Sequence, residues 1–193
     1  MKPQVIVLSA GDGGRMGGVD KILLKVQGKT LLDKYKELFS GHKITIVRGA
    51  FGFLKSKKIK ELGNPFWDNT NSIVSLVLAL KKDPSESIIL DADLFFDFYP
   101  KKVGFYVREH HETIFHKNKI ITSEGWFTGI ARTTKKQNLE FLSGLKQHNI
   151  NEYWCNGYSN IDKVICDSPV WEFDTQEDYE KGLNEINKAC RNV

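Results

Sequence analysis

A chain of 193 residues, 40% hydrophobic and 27% charged, is long enough to bury a sizeable core as one domain spanning 1–193. Its net charge of +4 is too small over this length to argue for nucleic acid or a membrane surface, and the densest basic run, Lys55 to Lys60, reads as a solvated helix face. Cys155, Cys166 and Cys190 cannot all pair within the chain, the first apolar run is too short for a secretory segment, and none approaches the roughly 18 residues of a membrane span, so a cytoplasmic location is expected.

Taken in chain order, Gln4 to Leu8 is continuous, β-branched and closed by glycine, the pattern of a buried strand. A glycine-rich loop follows, and then Leu31, Leu32, Tyr35, Leu38 and Phe39 recur at helical spacing before the stop at Gly41. Lys43 to Val47 predicts a second strand, Phe53 to Leu62 a helix, Ser72 to Lys81 another helix, and Ser87 to Leu90 a third buried strand. This β-α-β-α-α-β order implies an α/β fold with a mostly parallel sheet covered by helices, its loops gathered on one edge. In the second half, Val103 to Val107, Ile120 to Thr122 and Trp126 to Ala131 predict strands, and Lys135 to Gln147 a helix. Val164-Ile165 and Trp171 to Phe173 read as closing strands. Thr175 to Cys190 reads as a final helix, with Thr175 as N-cap and Asp178 completing a box-like cap.

Two constellations carry chemistry. The loop Gly11-Asp12-Gly13-Gly14 between strand and helix lets backbone N–H groups approach an anion, and Arg15 and Lys21 bracket it with a planar fork and a compact point charge. The dinucleotide fingerprint fits only approximately, and no Gly-Lys-Ser/Thr triplet of a Walker A loop occurs in it. Asp91-Ala92-Asp93 ends a buried strand with two carboxylates in an i, i+2 relation, which point the same way. Hard oxygen ligands of this kind suit Mg²⁺ together with substrate phosphates. The five histidines show no nucleophile–base arrangement and read as surface residues.

Together these segments resemble the nucleotidyltransferases of the sugar-nucleotide pyrophosphorylase superfamily. The opening pattern reads Leu8-Ser9-Ala10-Gly11-Asp12-Gly13-Gly14-Arg15-Met16-Gly17, then Lys21, then Gly28-Lys29-Thr30-Leu31. "NPFWDNTNSIVSLVLAL" from Asn64 and "VWEFDTQEDYEKGL" from Val170 are similar to segments of the bacterial choline-phosphate cytidylyltransferase branch. The resemblance implies a single Rossmann-like (GT-A type) domain, with a mixed, mostly parallel sheet, that transfers a nucleoside monophosphate to a small phosphorylated or phosphonate acceptor and releases pyrophosphate. CTP and phosphocholine are the substrates this branch implies, and a divalent cation, Mg²⁺, the cofactor. "RMGGVDK" instead resembles the guanylyltransferase that matures the molybdenum cofactor, which keeps GTP open as an alternative, as the superfamily resemblance keeps a sugar-phosphate nucleotidyltransferase.

On the same resemblance, Arg15 and Lys21 act on the phosphates, and Leu8, Ser9, Ala10 and the residues Gly11 to Gly14 hold the nucleotide. Asn71, Ser72 and Ser75 flank the base, Asp93 and Asp174 hold the metal, and Asp91 stands behind them. Trp126, Tyr153 and Trp154, with Trp67 and Tyr158, are the aromatics available for a box around a quaternary ammonium. Cys155 occupies a position where the choline branch often carries an aspartate. Two rival readings are a glycosyltransferase of similar fold, which would have little use for the Arg15 and Lys21 pair, and a non-catalytic nucleotide-binding module.

Overall fold

The computed structural model describes residues 2–56, 59–108, 120–122, 125–158 and 161–191. In chain order, β1 (Gln4–Ser9) leads through the glycine loop to a hairpin of β2 (Lys25–Val26) and β3 (Lys29–Thr30). Then come α1 (Leu31–Leu38), β4 (Ile44–Arg48), β5 (Lys60–Gly63), α2 (Ser72–Lys82), β6 (Ser87–Asp91) and β7 (Leu94–Phe95). The second half holds β8 (Gly104–Arg108), β9 (Ile120–Thr122), β10 (Gly125–Thr133), α3 (Lys135–Gly144), β11 (Lys163–Ile165), β12 (Trp171–Glu172) and α4 (Gln176–Arg191).

The central sheet has the order β11-β8-β10-β6-β1-β4-β5, with β9 added against β10. Along this path only β10 runs against its neighbours, pairing antiparallel with both β6 and β8. Within β1 the run Val5 to Leu8 is apolar throughout because both of its faces are covered. Val5 and Val7 join one core with Leu31, Leu32 and Tyr35 of α1 and Ile186 of α4, while Ile6 and Leu8 join another with Ile73, Leu76 and Leu80 of α2. Parallel register sets Leu8 opposite Val47 of β4 and Asp91 of β6, so the exits of all three strands share one edge. That edge is where ligands of open α/β sheets bind.

Helix ends follow from capping chemistry. Thr30 Oγ1 accepts the Asp33 N–H at the start of α1, and Thr134 with Gln137 forms a reciprocal box on α3. The box expected at the start of α4 is present, since Asp178 Oδ2 accepts the Thr175 N–H and Thr175 Oγ1 accepts the Asp178 N–H. The hairpin turns on Gln27 and Gly28, both at positive φ (53° and 78°), the arrangement that matches the twist of two short strands.

One expectation is corrected. Described residues between Phe53 and Leu62 form no helix; Lys60–Gly63 instead is strand β5, parallel to β4 at the sheet edge. Lys55 adopts φ 55°, which breaks a helix, and Phe53 is 57% exposed, so the apolar residues there do not share one buried face. Among the described residues no helix is long and apolar enough to cross a membrane.

Candidate active site

Beyond β1 the chain coils tightly. A single 3-10 turn, Gly14–Met16, is flanked by Gly13 and Gly17 in the left-handed region, and Met16 is buried as its anchor. The Gly13 carbonyl accepts N–H bonds from Met16 and Gly18 at 2.7 and 3.0 Å. A Cβ on Gly13 would stand 2.1 Å from the Val19 carbonyl oxygen, so this closure admits only glycine. Asp12 Oδ1 accepts the Gly14 N–H at 2.9 Å. The loop ends at Asp20, and Lys21 opens a second 3-10 turn in which Ile22 is fully buried.

Three carboxylates face this loop. Ligand oxygens of Asp93, Glu172 and Asp174 all lie within 4.8 Å of one another. Asp93 arrives just past β6; Glu172 and the following residues arrive with β12, which pairs antiparallel with β7. Lys21 Nζ donates to Asp93 Oδ2 at 2.9 Å and to Asp174 Oδ1 at 2.8 Å, and Arg15 Nη1 donates to Asp174 Oδ2 at 2.7 Å. Burial disfavours the Lys21 charge, but the fields and hydrogen bonds of Asp93 and Asp174 outweigh it, so the ammonium titrates above its ordinary value. The Arg15 side chain is 66% exposed, so its ion pair contributes little to stability and the guanidinium can leave it cheaply.

As a donor set, the three carboxylates are hard, anionic and close enough to share one small divalent cation, which fits the Mg²⁺ expectation. Asp93 and Asp174 are thus brought together as expected. Glu172 was missed in the sequence, although it stands two residues before Asp174, the spacing that puts two side chains on one face of a strand.

A cavity of about 430 Å³ joins loop and carboxylates. Leu8, Ser9, Gly11, Asp12, Gly13, Gly14, Arg15, Lys21, Asn71, Ser72, Asp91, Asp93, Tyr153 and Asp174 all line it. Ala10 and Ser75 line an adjoining recess of about 170 Å³ that shares Leu8, Gly11, Asn71 and Ser72 with the larger cavity and adds Trp67. In that recess Asn64 Nδ2 donates to Ser75 Oγ at 3.0 Å, and Asn71 Oδ1 accepts the Ser72 N–H at 2.7 Å as the cap of α2. Ser75 and Asn71 therefore hold the wall in place as well as lining it.

The aromatic residues are dispersed. Trp154 is a core residue, 1% exposed, with its ring edge-on to Phe127 at 5.1 Å and to Phe105 at 5.9 Å. Tyr158 stacks on Phe141 at 4.7 Å and donates to Asn138 Oδ1. Trp126 lies in β10, and its side chain falls outside the described residues. Of the expected box, Tyr153 is the one described side chain that lines the main cavity, so among the described residues no cage forms. Trp154 serves the site from behind: its Nε1–H donates to Asp91 Oδ1 at 2.9 Å. Trp154→Phe should lower unfolding free energy by about 1–3 kcal/mol, because a buried acceptor loses one donor and the smaller phenyl ring leaves a gap in the core; a denaturation midpoint equal to that of the wild type would count against this contact.

Residues 5–97, just under half of the chain, match the family described as the MobA-like NTP transferase domain. No curated protein matches the sequence significantly. Among solved structures, the chain is similar to the CTP:phosphocholine cytidylyltransferase of Streptococcus pneumoniae, with TM-score 0.74 and 20% identity over 96% of this chain and 100% of that one. It is also similar to the inositol-1-phosphate CTP transferase of T. maritima, with TM-score 0.66 and 16% identity over 96% of each chain. A putative glucose-1-phosphate thymidylyltransferase from Bacillus anthracis gives TM-score 0.67 and 17% identity over 100% of this chain and 96% of that one. At these identities the likeness establishes the shared α/β fold.

Proposed function

We propose that this chain is a nucleotidyltransferase that moves a nucleoside monophosphate, CMP from CTP, onto a small phosphorylated or phosphonate acceptor such as phosphocholine and releases pyrophosphate. One observation carries the reading: Lys21, at the end of a glycine-closed loop, sits 2.8–2.9 Å from two carboxylates in a cavity large enough for a triphosphate's reactive end. Transfer of this kind needs chiefly positioning and charge neutralisation as the acceptor oxygen attacks the α-phosphorus in line.

The residues divide the work. The Gly11 to Gly14 backbone and the exposed fork of Arg15 bind and orient the β- and γ-phosphates, and so favour departure of pyrophosphate. On this reading Lys21 supplies an ammonium that damps repulsion between the α-phosphate and the acceptor anion. A divalent cation held by Asp93, Glu172 and Asp174 would supply further neutralisation of phosphate charge. The recess beside Ala10 and Asn71 takes the base. Asn71, Ser72 and Ser75 line that recess with groups able to hydrogen-bond a base, and CTP draws support from the likeness to two enzymes whose names give CTP as substrate.

A second reading, GTP as donor, draws on the resemblance of Arg15 to Lys21 to the guanylyltransferase that matures the molybdenum cofactor, within the span 5–97 that matches the MobA-like NTP transferase domain. Pyrophosphate release should be recorded with CTP, GTP, ATP and UTP against phosphocholine, other phosphorylated amines, sugar phosphates and phosphonates. Release with CTP and one acceptor class is the expected result. Release confined to GTP would transfer the assignment, and none with any pair would defeat the transferase reading.

A further inference from the structure

The exits of β1 and β4 meet at one buried guanidinium. Arg48, the last residue of β4, is 1% exposed and among the largest side chains that the chain buries completely. Its Nη1 and Nη2 donate to Asp20 Oδ1 and Oδ2 at 3.1 and 2.6 Å, a two-pronged contact between planar groups. Nη1 also donates to Ser9 Oγ at 3.0 Å, and Nε donates to the Gly52 carbonyl at 2.8 Å. The Asp20 carboxylate is itself only 10% exposed. Burying two charges costs desolvation that apolar residues of similar volume would avoid, so stability alone is a poor reason for such a pair.

Its partners mark both ends of the phosphate loop. Ser9 closes β1 where the loop begins, and Asp20 is the residue immediately before Lys21. The neighbouring loop is drawn in as well, since the Ala50 N–H donates to the Ala10 carbonyl at 3.1 Å and a Cβ on Gly49 would stand 2.3 Å from that same oxygen. One rigid plane therefore ties together the start of the loop, its end and the turn beside it. Lys21 must then meet two carboxylates from distant parts of the chain at hydrogen-bond distance, which leaves little tolerance for a shift at its base.

We infer that Arg48 is a positioning residue: with Asp20 it forms a brace that fixes the span from Ser9 to Asp20 and thereby the reach of Lys21. The inference rests on the transferase reading, and the test separates the two. Arg48→Lys keeps the charge and loses the fork, while the double variant Arg48→Met/Asp20→Asn removes both charges, so neither leaves a buried charge without a counter-ion. Each would be assayed well below its own melting temperature for kcat and, without nucleotide, for the acylation rate of Lys21 by mass spectrometry, with exposed Lys29 as internal reference.

Folded variants should lose about tenfold to a hundredfold in kcat, the effect of a misplacement on the ångström scale, with Lys21 acylated several-fold faster than in the wild type. Variants that melt earlier yet keep wild-type kcat and wild-type Lys21 acylation would overturn the brace, as would failure of both to fold, which would assign the pair to stability alone. A wild type that transfers no nucleotide defeats the transferase reading, and Lys21 acylation then still decides the brace.

Discussion

Lys21→Met should reduce kcat/KM by about 10²–10³-fold, the range for removing one preorganised charge-stabilising donor from a reacting centre. Two effects combine. Under the proposed transfer the transition state loses an ammonium that meets developing phosphate charge, and the resting site loses the cation that bridges Asp93 and Asp174. With Lys21 gone, the ligand oxygens of Asp93, Glu172 and Asp174 remain within 4.8 Å of one another and repel. The ligand-free protein should therefore lose on the order of 3 kcal/mol of stability, and divalent cation alone should restore more of it than it adds to the wild type. Calorimetry with and without Mg²⁺ reads both arms. A variant with full activity would remove Lys21 from the mechanism, and one indifferent to Mg²⁺ would detach the carboxylates from metal. Acidity does not confound the assay at neutral pH. A pKa raised from 10.5 gives stability that is fully present below that value and is lost only as pH rises through the higher folded one, so Lys21 contributes no limb between pH 6 and 9.

The second large effect concerns Asp93. CTP with Mg²⁺, at a concentration a hundredfold above its dissociation constant, should stabilise the wild type by about 2.7 kcal/mol, or about 5–10 °C for a chain of this length. Asp93→Asn should abolish the Mg²⁺-dependent part of that shift. The amide keeps the shape but offers a poorer, neutral oxygen, and Lys21 keeps its bond to Asp174 Oδ1 at 2.8 Å, so the protein stays folded. Persistence of the full shift in Asp93→Asn would place the cation elsewhere. A shift confined to GTP would favour the second donor.

How much of this could be read in advance depends on how local each signal is. The strand at Gln4, the helices at Leu31 and Ser72, and the strand at Ser87 write their burial directly into their own periodicity, and their bounds agree with the structure to within about a residue. The stretch from Phe53 does not, because β5 owes its existence to β4 alongside it: Lys60 and Leu62 sit opposite Thr45 and Val47 as the last strand of the sheet. The glycine loop, Arg15, Lys21, Asp93 and Asp174 stood out because their spacing follows a known pattern. Glu172 carried a local signal, two residues before Asp174, that was passed over. Arg48 and Asp20 carried none, being 28 residues apart on different elements. Trp154 is the reverse case, where residue type suggested a ligand wall and packing made it core. Aromatic identity records the capacity to bury area, and the fold decides where that capacity is spent.

The pairing of β7 with β12 has a consequence for how the molecule comes into being. Arg15 and Asp174 are 159 residues apart, and Lys21 and Asp174 are 153 apart, so the ionic centre joins segments far apart in sequence. Contacts of such long range pay loop-closure entropy before they return anything, and they belong to the slow side of folding. A nascent chain that has emerged as far as Asp93 already displays the glycine loop and the lysine, yet lacks Glu172 and Asp174. The three-carboxylate cluster is thus incomplete until the segment carrying Glu172 and Asp174 has been made and packed against β7.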